Sequence, residues 1–341
     1  MEKDFPVRGN SSKVVDIMNV EEFRAYLKGR GYDQDTVDSF VKGVEKAQSY
    51  FGDRPIKEVE VDGFKEYVAH LLEMGENTEG NLVGLARYVY FSDMKAQWIY
   101  FAAILGGREV FPSIEERLEK LTDKETAKRI FSNINLPRLG EGPDLYPAAT
   151  KQMMDQLQKE LPDHIWKRVL AGNHHRMPLE RFAKHKKWLE EAGSVNAWLK
   201  QMHTKAVEEL DRHQRESKIW YEQVITPEVV EYVRGNQEVL SGIRKGDWIY
   251  NSKFPYSPKA YLEETDPDER RYLMCHCVLA REAVKSGAPD IPMEWCYCSA
   301  GYGKLRYDVA FGEDTEVEVL ESVFSGSDKC RFRIKIPKKF R

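Results

Sequence analysis

The chain has 341 residues, which at roughly 100 to 200 residues per domain predicts two domains or three and excludes a single minimal core. A hydrophobic content of 41%, with 17 Tyr, 15 Phe and 7 Trp, can fill a sizeable interior and excludes wholesale disorder. Lys plus Arg number 52 against 56 Asp plus Glu, a formal charge of -4, so there is no global positive excess to hold a phosphate backbone.

Met1-Glu2-Lys3-Asp4-Phe5-Pro6 puts charges where a secretory signal has an apolar run, and no stretch of about 18 apolar residues follows, which predicts a cytoplasmic protein without a membrane partner. From Asn19 to about Ser132 the period is helical: Val37, Phe40, Val44, Ala47 and Phe51 form one stripe, Phe64, Tyr67, Val68, Leu71 and Leu72 a second, and Leu82, Leu85, Ala86, Val89 and Tyr90 a third. Breaks at Gly29 to Gly31, Gly52 to Pro55 and Gly75 to Asn77 predict short helices joined tightly, a helical bundle over residues 1–135. With Phe23, Tyr26, Leu27, Gly31, Thr36-Val37, Phe64 and Tyr67, this stretch resembles the helical core-binding domain of tyrosine recombinases. The Arg, His and Tyr constellation of that family has no counterpart here, so strand exchange is not expected. Acidic residues interleave with basic ones, as in Glu58-Val59-Glu60-Val61-Asp62, and argue against a nucleic-acid partner.

Pro137, Gly140, Gly142, Pro143 and Pro147 mark a linker over residues 136–150, leaving 151–341 as helices that lead into a cysteine-rich domain. Val195, Trp198, Leu199, Met202, Ala206, Leu210 and His213 keep one helical face, and Thr226-Pro227 reads as the N-cap and first position of the next helix. Near the end the period becomes two. Cys330, Phe332, Ile334 and Ile336 alternate with Lys329, Arg331, Arg333 and Lys335, and Val317, Val319 and Val323 alternate with Glu316, Glu318 and Ser322, two strands joined by a hairpin turn at Ser325-Gly326-Ser327-Asp328. Cys330 is then expected to be buried. The fold class is α+β: an amino-terminal helical bundle followed by an α/β ligand-binding domain with an antiparallel sheet.

All five cysteines lie between Cys275 and Cys330, which suits thiolate chemistry better than a disulfide framework. Cys275-His276-Cys277 and Cys296-Tyr297-Cys298 make two Cys-x-Cys pairs that can supply zinc, or another divalent metal, with four ligands: Cys275, Cys277, Cys296 and Cys298. Residues one apart point about 200 degrees apart on a helix, so at least one of Cys275 and Cys277 must lie outside one. A helix could run through the motif from Asp266-Pro267, or begin at Val278 and aim its amides at Cys277, lowering the thiol pKa. A metal site, a reactive thiolate and inert buried thiols all remain open. Glu321 shares the parity of Val319 and Val323, where an apolar residue is expected; a carboxylate there serves a proton transfer in a pocket shared with Cys330, or reaches solvent at an edge. Ser299-Ala300-Gly301-Tyr302-Gly303-Lys304 reads as a turn or ligand loop, Gly172-Asn173-His174-His175-Arg176 as a polar loop, and Lys253-Phe254-Pro255-Tyr256-Ser257-Pro258 as an extended segment whose aromatics pack.

Cys275-His276-Cys277, Ala280-Arg281-Glu282, Cys296 to Tyr302, Glu318 to Val323, Gly326 and Cys330 to Ile334 together resemble the L-2-aminothiazoline-4-carboxylate hydrolase family, whose wider fold is that of 4-vinyl-reductase-like sensor domains. The resemblance covers about the last 75 residues. It implies an α/β ligand-binding domain and hydrolytic opening of a cyclic amidine-like ring to a carbamoyl-cysteine. It also implies, from the related sensors, a Glu and cysteines around a structural zinc, with Ser325 near the place of a further sensor Cys. The expected function is hydrolysis of a small sulfur- or nitrogen-containing substrate, with Cys277 or a metal-bound water as nucleophile, His276 or Glu321 handling the proton, and Arg281, Tyr302 and Lys304 as ligand contacts. The alternative is a sensor that binds without turnover and regulates what the helical part touches. Self-association is left open.

Overall fold

The computed structural model describes residues 19–221 and 223–341; the amino-terminal hexapeptide weighed above as a signal lies outside them. The chain forms two compact units, one running to Gly106 and taking in Arg138–Gly142, the other made of Gly107–Pro137 and Pro143–Arg341.

The first unit is all helical: α1 (Val20–Gly29), α2 (Gln34–Phe51), α3 (Val61–Glu73), α4 (Glu79–Phe91) and α5 (Lys95–Leu105). Asp33 caps α2 by accepting the amide of Thr36, and Thr78 caps α4 by accepting that of Asn81. Most of the predicted stripe residues form its core, with Val37, Val44, Phe64, Leu71 and Leu85 all buried, while Tyr90 of the third stripe is 47% exposed. The break between units falls after α5 rather than at residue 135. Part of the expected linker returns to this unit, where Arg138 donates to the Leu72 carbonyl (3.1 Å) and the Leu139 carbonyl accepts from Asn77 (3.0 Å).

The second unit begins with α6 (Val110–Leu121) and α7 (Lys124–Phe131), whose Phe111, Ile114, Leu118 and Ile130 join the core of Trp166, Trp295 and Tyr307; this apolar face is why they leave the first unit. There follow α8 (Tyr146–Glu160), α9 (Asp163–Leu170), α10 (Ala183–Ala192), α11 (Val195–Arg215) and α12 (Pro227–Arg234), the last capped by Thr226 with Pro227 at its first turn as the sequence predicts. Two strands, β1 (Ile243–Lys245) and β2 (Trp248–Ser252), precede α13 (Pro258–Glu263), α14 (Pro267–Met274), α15 (Arg281–Ser286) and α16 (Tyr297–Phe311), and β3 (Val317–Glu321) and β4 (Arg331–Lys335) close the chain. The four strands make one antiparallel sheet in the order β1-β2-β4-β3.

This is the α+β class predicted, with two corrections at its end. The segment after β3 is not a continuing strand: Ser322 caps a single 3-10 turn, Val323–Ser325, so Val323 has no cross-strand partner and Cys330 lies ahead of β4, half-buried rather than buried. A bulge between Val319 and Glu321 breaks the parity, so Val319 faces Phe332 in register while Glu321 faces Arg331. The carboxylate therefore leaves the apolar face and joins a charged partner.

The predicted Ser299–Lys304 loop is the first two turns of α16. A side-chain carbon on Gly301 would meet the Ala171 and Gly172 backbone at 2.5 Å and 2.7 Å, and one on Gly303 would meet the Phe332 ring at 2.4 Å. These glycines allow close packing on both sides. Below them, Lys304 is buried between Asp308 and Asp314, 2.5 Å from each, and Asp314 also pairs with Arg117 of α6. Because the obstructing atoms at Gly301 are backbone, Gly301→Ala is expected to cost about 1 to 3 kcal/mol in urea unfolding, whereas Gly312→Ala, strained but in open space, should cost less.

Candidate functional site

α14 ends at Met274, so Cys275-His276-Cys277 is non-helical, and the next turn, Val278–Ala280, precedes α15 at Arg281 instead of forming its start. Cys296 closes the 3-10 turn leading into α16, and Cys298 sits in the first turn of α16. Folding gathers all five thiols: ionisation of Cys277 would raise the pKa of Cys275, Cys296, Cys298 and Cys330. Cys277 accepts the indole N–H of Trp295 (3.3 Å) and the amides of Leu279 and Ala280, yet burial outweighs these donors and pushes its thiol up. Burial pushes the other four up as well, against the pull of the Lys253 ammonium at Cys275, Cys298 and Cys330. The low-pKa thiolate expected of a helix terminus is thus replaced by protonated thiols. Among the described residues no three His, Cys, Asp or Glu side chains are arranged to hold a metal ion, and no step below uses one.

Beside the cluster lies a small pocket of about 20 Å³, lined by Lys253, Cys296, Ser299, Glu321, Cys330 and Arg331 over an apolar floor that includes Val319 and Phe332. The elements explain the gathering. Lys253 follows β2 and its amide donates to the Cys330 carbonyl (2.9 Å), Glu321 ends β3, and β4 runs between them. Glu321 is fixed by Arg331 (3.2 Å) and Ser327 (3.1 Å), and Arg331 is in turn held by both carboxylate oxygens of Glu238. The Lys253 ammonium donates to the Ser299 hydroxyl at 2.5 Å.

The remaining predicted residues lie elsewhere. His276 donates from Nε2 to the Phe254 carbonyl (2.7 Å) and is held neutral by burial, its pKa lowered to about 3. Arg281 is stacked between Tyr256 and Tyr272, its guanidinium 4.3 Å and 3.9 Å from the ring centres. Tyr302 meets His175 edge to face, and Lys304 is consumed by its aspartates. His174 is bonded to Ser113 and to the Val169 carbonyl. Missed as site residues were Lys253, Arg331 and Glu238, whereas Ser299 was read only as part of a turn or ligand loop; among the missed three, Lys253 alone left a signal, a cation directly ahead of an apolar Phe-Pro pair.

A family model described as a family of unknown function (DUF6144) matches residues 229–340. The match spans all four strands, the cysteine cluster and the pocket. No curated protein and no solved structure matches the chain.

Two outcomes follow from burial. His174, His185 and His276 have folded pKa values lowered to about 4, 3 and 3 from an unfolded value near 6.5, so the stability they contribute is present above pH 6.5 and lost as pH falls toward those values. Urea unfolding at pH 5 should show a loss of roughly 1 to 2 kcal/mol for each. In native thiol titration with a chromogenic disulfide, Cys296 and Cys330, which line the pocket, should react before Cys275 and Cys298, which are buried.

Proposed function

We propose that the second unit binds a small polar heterocycle in the Glu321 pocket and hydrolyses it, in line with the resemblance to aminothiazoline-carboxylate hydrolases. The observation that carries this reading is an oriented carboxylate on the wall of a small pocket, with both its oxygens already anchored by Arg331 and Ser327. Water adds to the electrophilic carbon of a cyclic amidine, its oxygen forming the new bond and its proton passing to Glu321. The ring C–S bond then breaks as the added oxygen becomes a carbonyl; the water's second proton passes to the ring nitrogen, and the leaving sulfur takes the first back from Glu321. Cys277 is not among the lining residues and its thiol is held protonated, so the covalent thiolate route has less support than the water route. No helix among the described residues is long and apolar enough to cross a membrane, and the reading needs no membrane partner.

The second reading, ligand binding without turnover, is favoured by one observation: the two thiols in the pocket are protonated, leaving Glu321 as the one carboxylate among the lining groups. Incubation with 2-aminothiazoline-4-carboxylate separates the two. Release of free thiol that falls by about 10²- to 10⁴-fold in Glu321→Gln, with the fold retained by circular dichroism, supports hydrolysis. Saturable binding with no thiol release supports the sensor, and neither binding nor release rejects the pocket as the site.

A further inference from the structure

The two faces of the sheet differ. Ile249 of β2, Val317 of β3, and Phe332 and Ile334 of β4 join the core with Tyr307 and Phe311 of α16. Strand alternation turns Lys245, Trp248, Tyr250, Arg331, Arg333 and Lys335 to the opposite face. There Trp248 and Tyr250 belong to no apolar core among the described residues. The groups over their rings are cations of the same face. Arg333 and Lys335 each stand 4.2 Å from the centre of Trp248, and Lys245 and Arg331 stand 5.2 Å and 5.3 Å from that of Tyr250.

Register sorts these residues into rows. Lys245, Trp248 and Lys335 lie side by side across three strands, a ring between two lysines. Ile243, Tyr250, Arg333 and Glu318 form the next row, where Glu318 pairs with Arg333. Arg331, in the third, is held by Glu238 and Glu321. The first row has no such neutralisation. Among the described residues no carboxylate lies within ion-pair distance of Lys245 or Lys335, and the acids beside them are placed otherwise: Glu316 gives its carbonyl to the Lys335 amide, and Asp247 pairs with Arg341. A chain of formal charge -4 thus carries a local strip of positive charge interleaved with aromatic rings.

Such a face offers a partner both π-surface and counter-charge. An acidic peptide would engage the lysines and leave the rings without a role, and a duplex keeps the faces of its bases stacked out of reach. The unstacked bases and phosphates of a single strand use both. Trp248 and Tyr250 are two residues apart on β2, roughly 7 Å, about twice the ~3.4 Å between stacked bases, so each ring takes a base of its own.

We propose that this face of the sheet binds single-stranded nucleic acid, with Trp248 and Tyr250 as stacking platforms and Lys245 and Lys335 along the sugar-phosphate backbone. Bases replace the cations over the rings, and the displaced head groups turn to the phosphates. The interleaved charges that argue against a nucleic-acid partner belong to the amino-terminal helices and do not extend to this strip. None of these four residues lines the Glu321 pocket, so the proposal is independent of the hydrolase reading.

Fluorescence anisotropy of labelled oligothymidylate and oligouridylate, each about 12 nucleotides long, with the full chain tests it. At about 0.1 M salt a Kd between about 1 and 100 µM is expected, weakening as salt rises. Trp248→Ala and Tyr250→Ala, with the fold retained by circular dichroism, should each weaken binding about fivefold or more, the worth of a stacked base. Lys245→Gln and Lys335→Gln should each lower the slope of log affinity against log salt by about 0.7. Failure of both oligonucleotides to bind the unaltered protein overturns the proposal, as does equal competition by polyglutamate or by a duplex of the same length; these comparisons need no variant to fold. Affinity unchanged in both Trp248→Ala and Tyr250→Ala also overturns it, since the strip would then hold any polyanion by charge alone.

Discussion

The arrangement depends on how closely α16 is packed. Gly301 lets the helix press against the backbone at Ala171 and Gly172, and Gly303, two residues on, lets the Phe332 ring lie against its other side. A helix held at that distance from both the end of α9 and the sheet has little freedom to rotate. The residues one turn earlier, Cys296 and Ser299, are therefore presented to the mouth of the β3–β4 edge, and Lys304, one turn later, is driven into the interior. That lysine would be a liability alone; Asp308 and Asp314 take up its charge, and Asp308 also accepts both the amide and the hydroxyl of Thr315, fixing the turn that delivers the chain to β3.

The electrostatics of the site follow from this packing. Thiols enclosed by Trp295, Val323 and the first turn of α16 lose their hydration, and the donors aimed at Cys277 do not restore it, so the neutral form prevails. Lys253 is the one cation whose pull is felt across the cluster, at Cys275, Cys277, Cys298 and Cys330 alike. Charge in the pocket is thus divided between a lysine without a carboxylate and a glutamate already neutralised by arginine.

Much of the architecture was legible along the chain. The three helical stripes, the Thr226-Pro227 start and the alternation of Phe332 with Ile334 all depend on periods that local burial imposes, and each appears in the structure. β1 and β2 left little trace, since β1 has three residues and β2 mixes Trp248 and Tyr250 on one face with Ile249 and Asn251 on the other. The glycines of α16 were misread for a physical reason: glycine marks a flexible turn and a tight helix contact with the same letter, and only the neighbouring backbone distinguishes them.

The sequence by itself determined the α+β class, the separation of a helical amino-terminal part from a strand-bearing end, and the grouping of cysteines in one region, because these depend on composition and short-range period. Only the tertiary structure decided where the units part, since α6 and α7 are amphipathic helices like their predecessors and their allegiance is set by which core accepts Phe111 and Leu118. It also decided the site. A one-residue bulge moved Glu321 from the apolar face to Arg331, and strand order put Lys253 beside Ser299, 46 positions away in the chain. Register and strand order are long-range choices, fixed by the packing of the whole sheet against α16, and no local pattern encodes them.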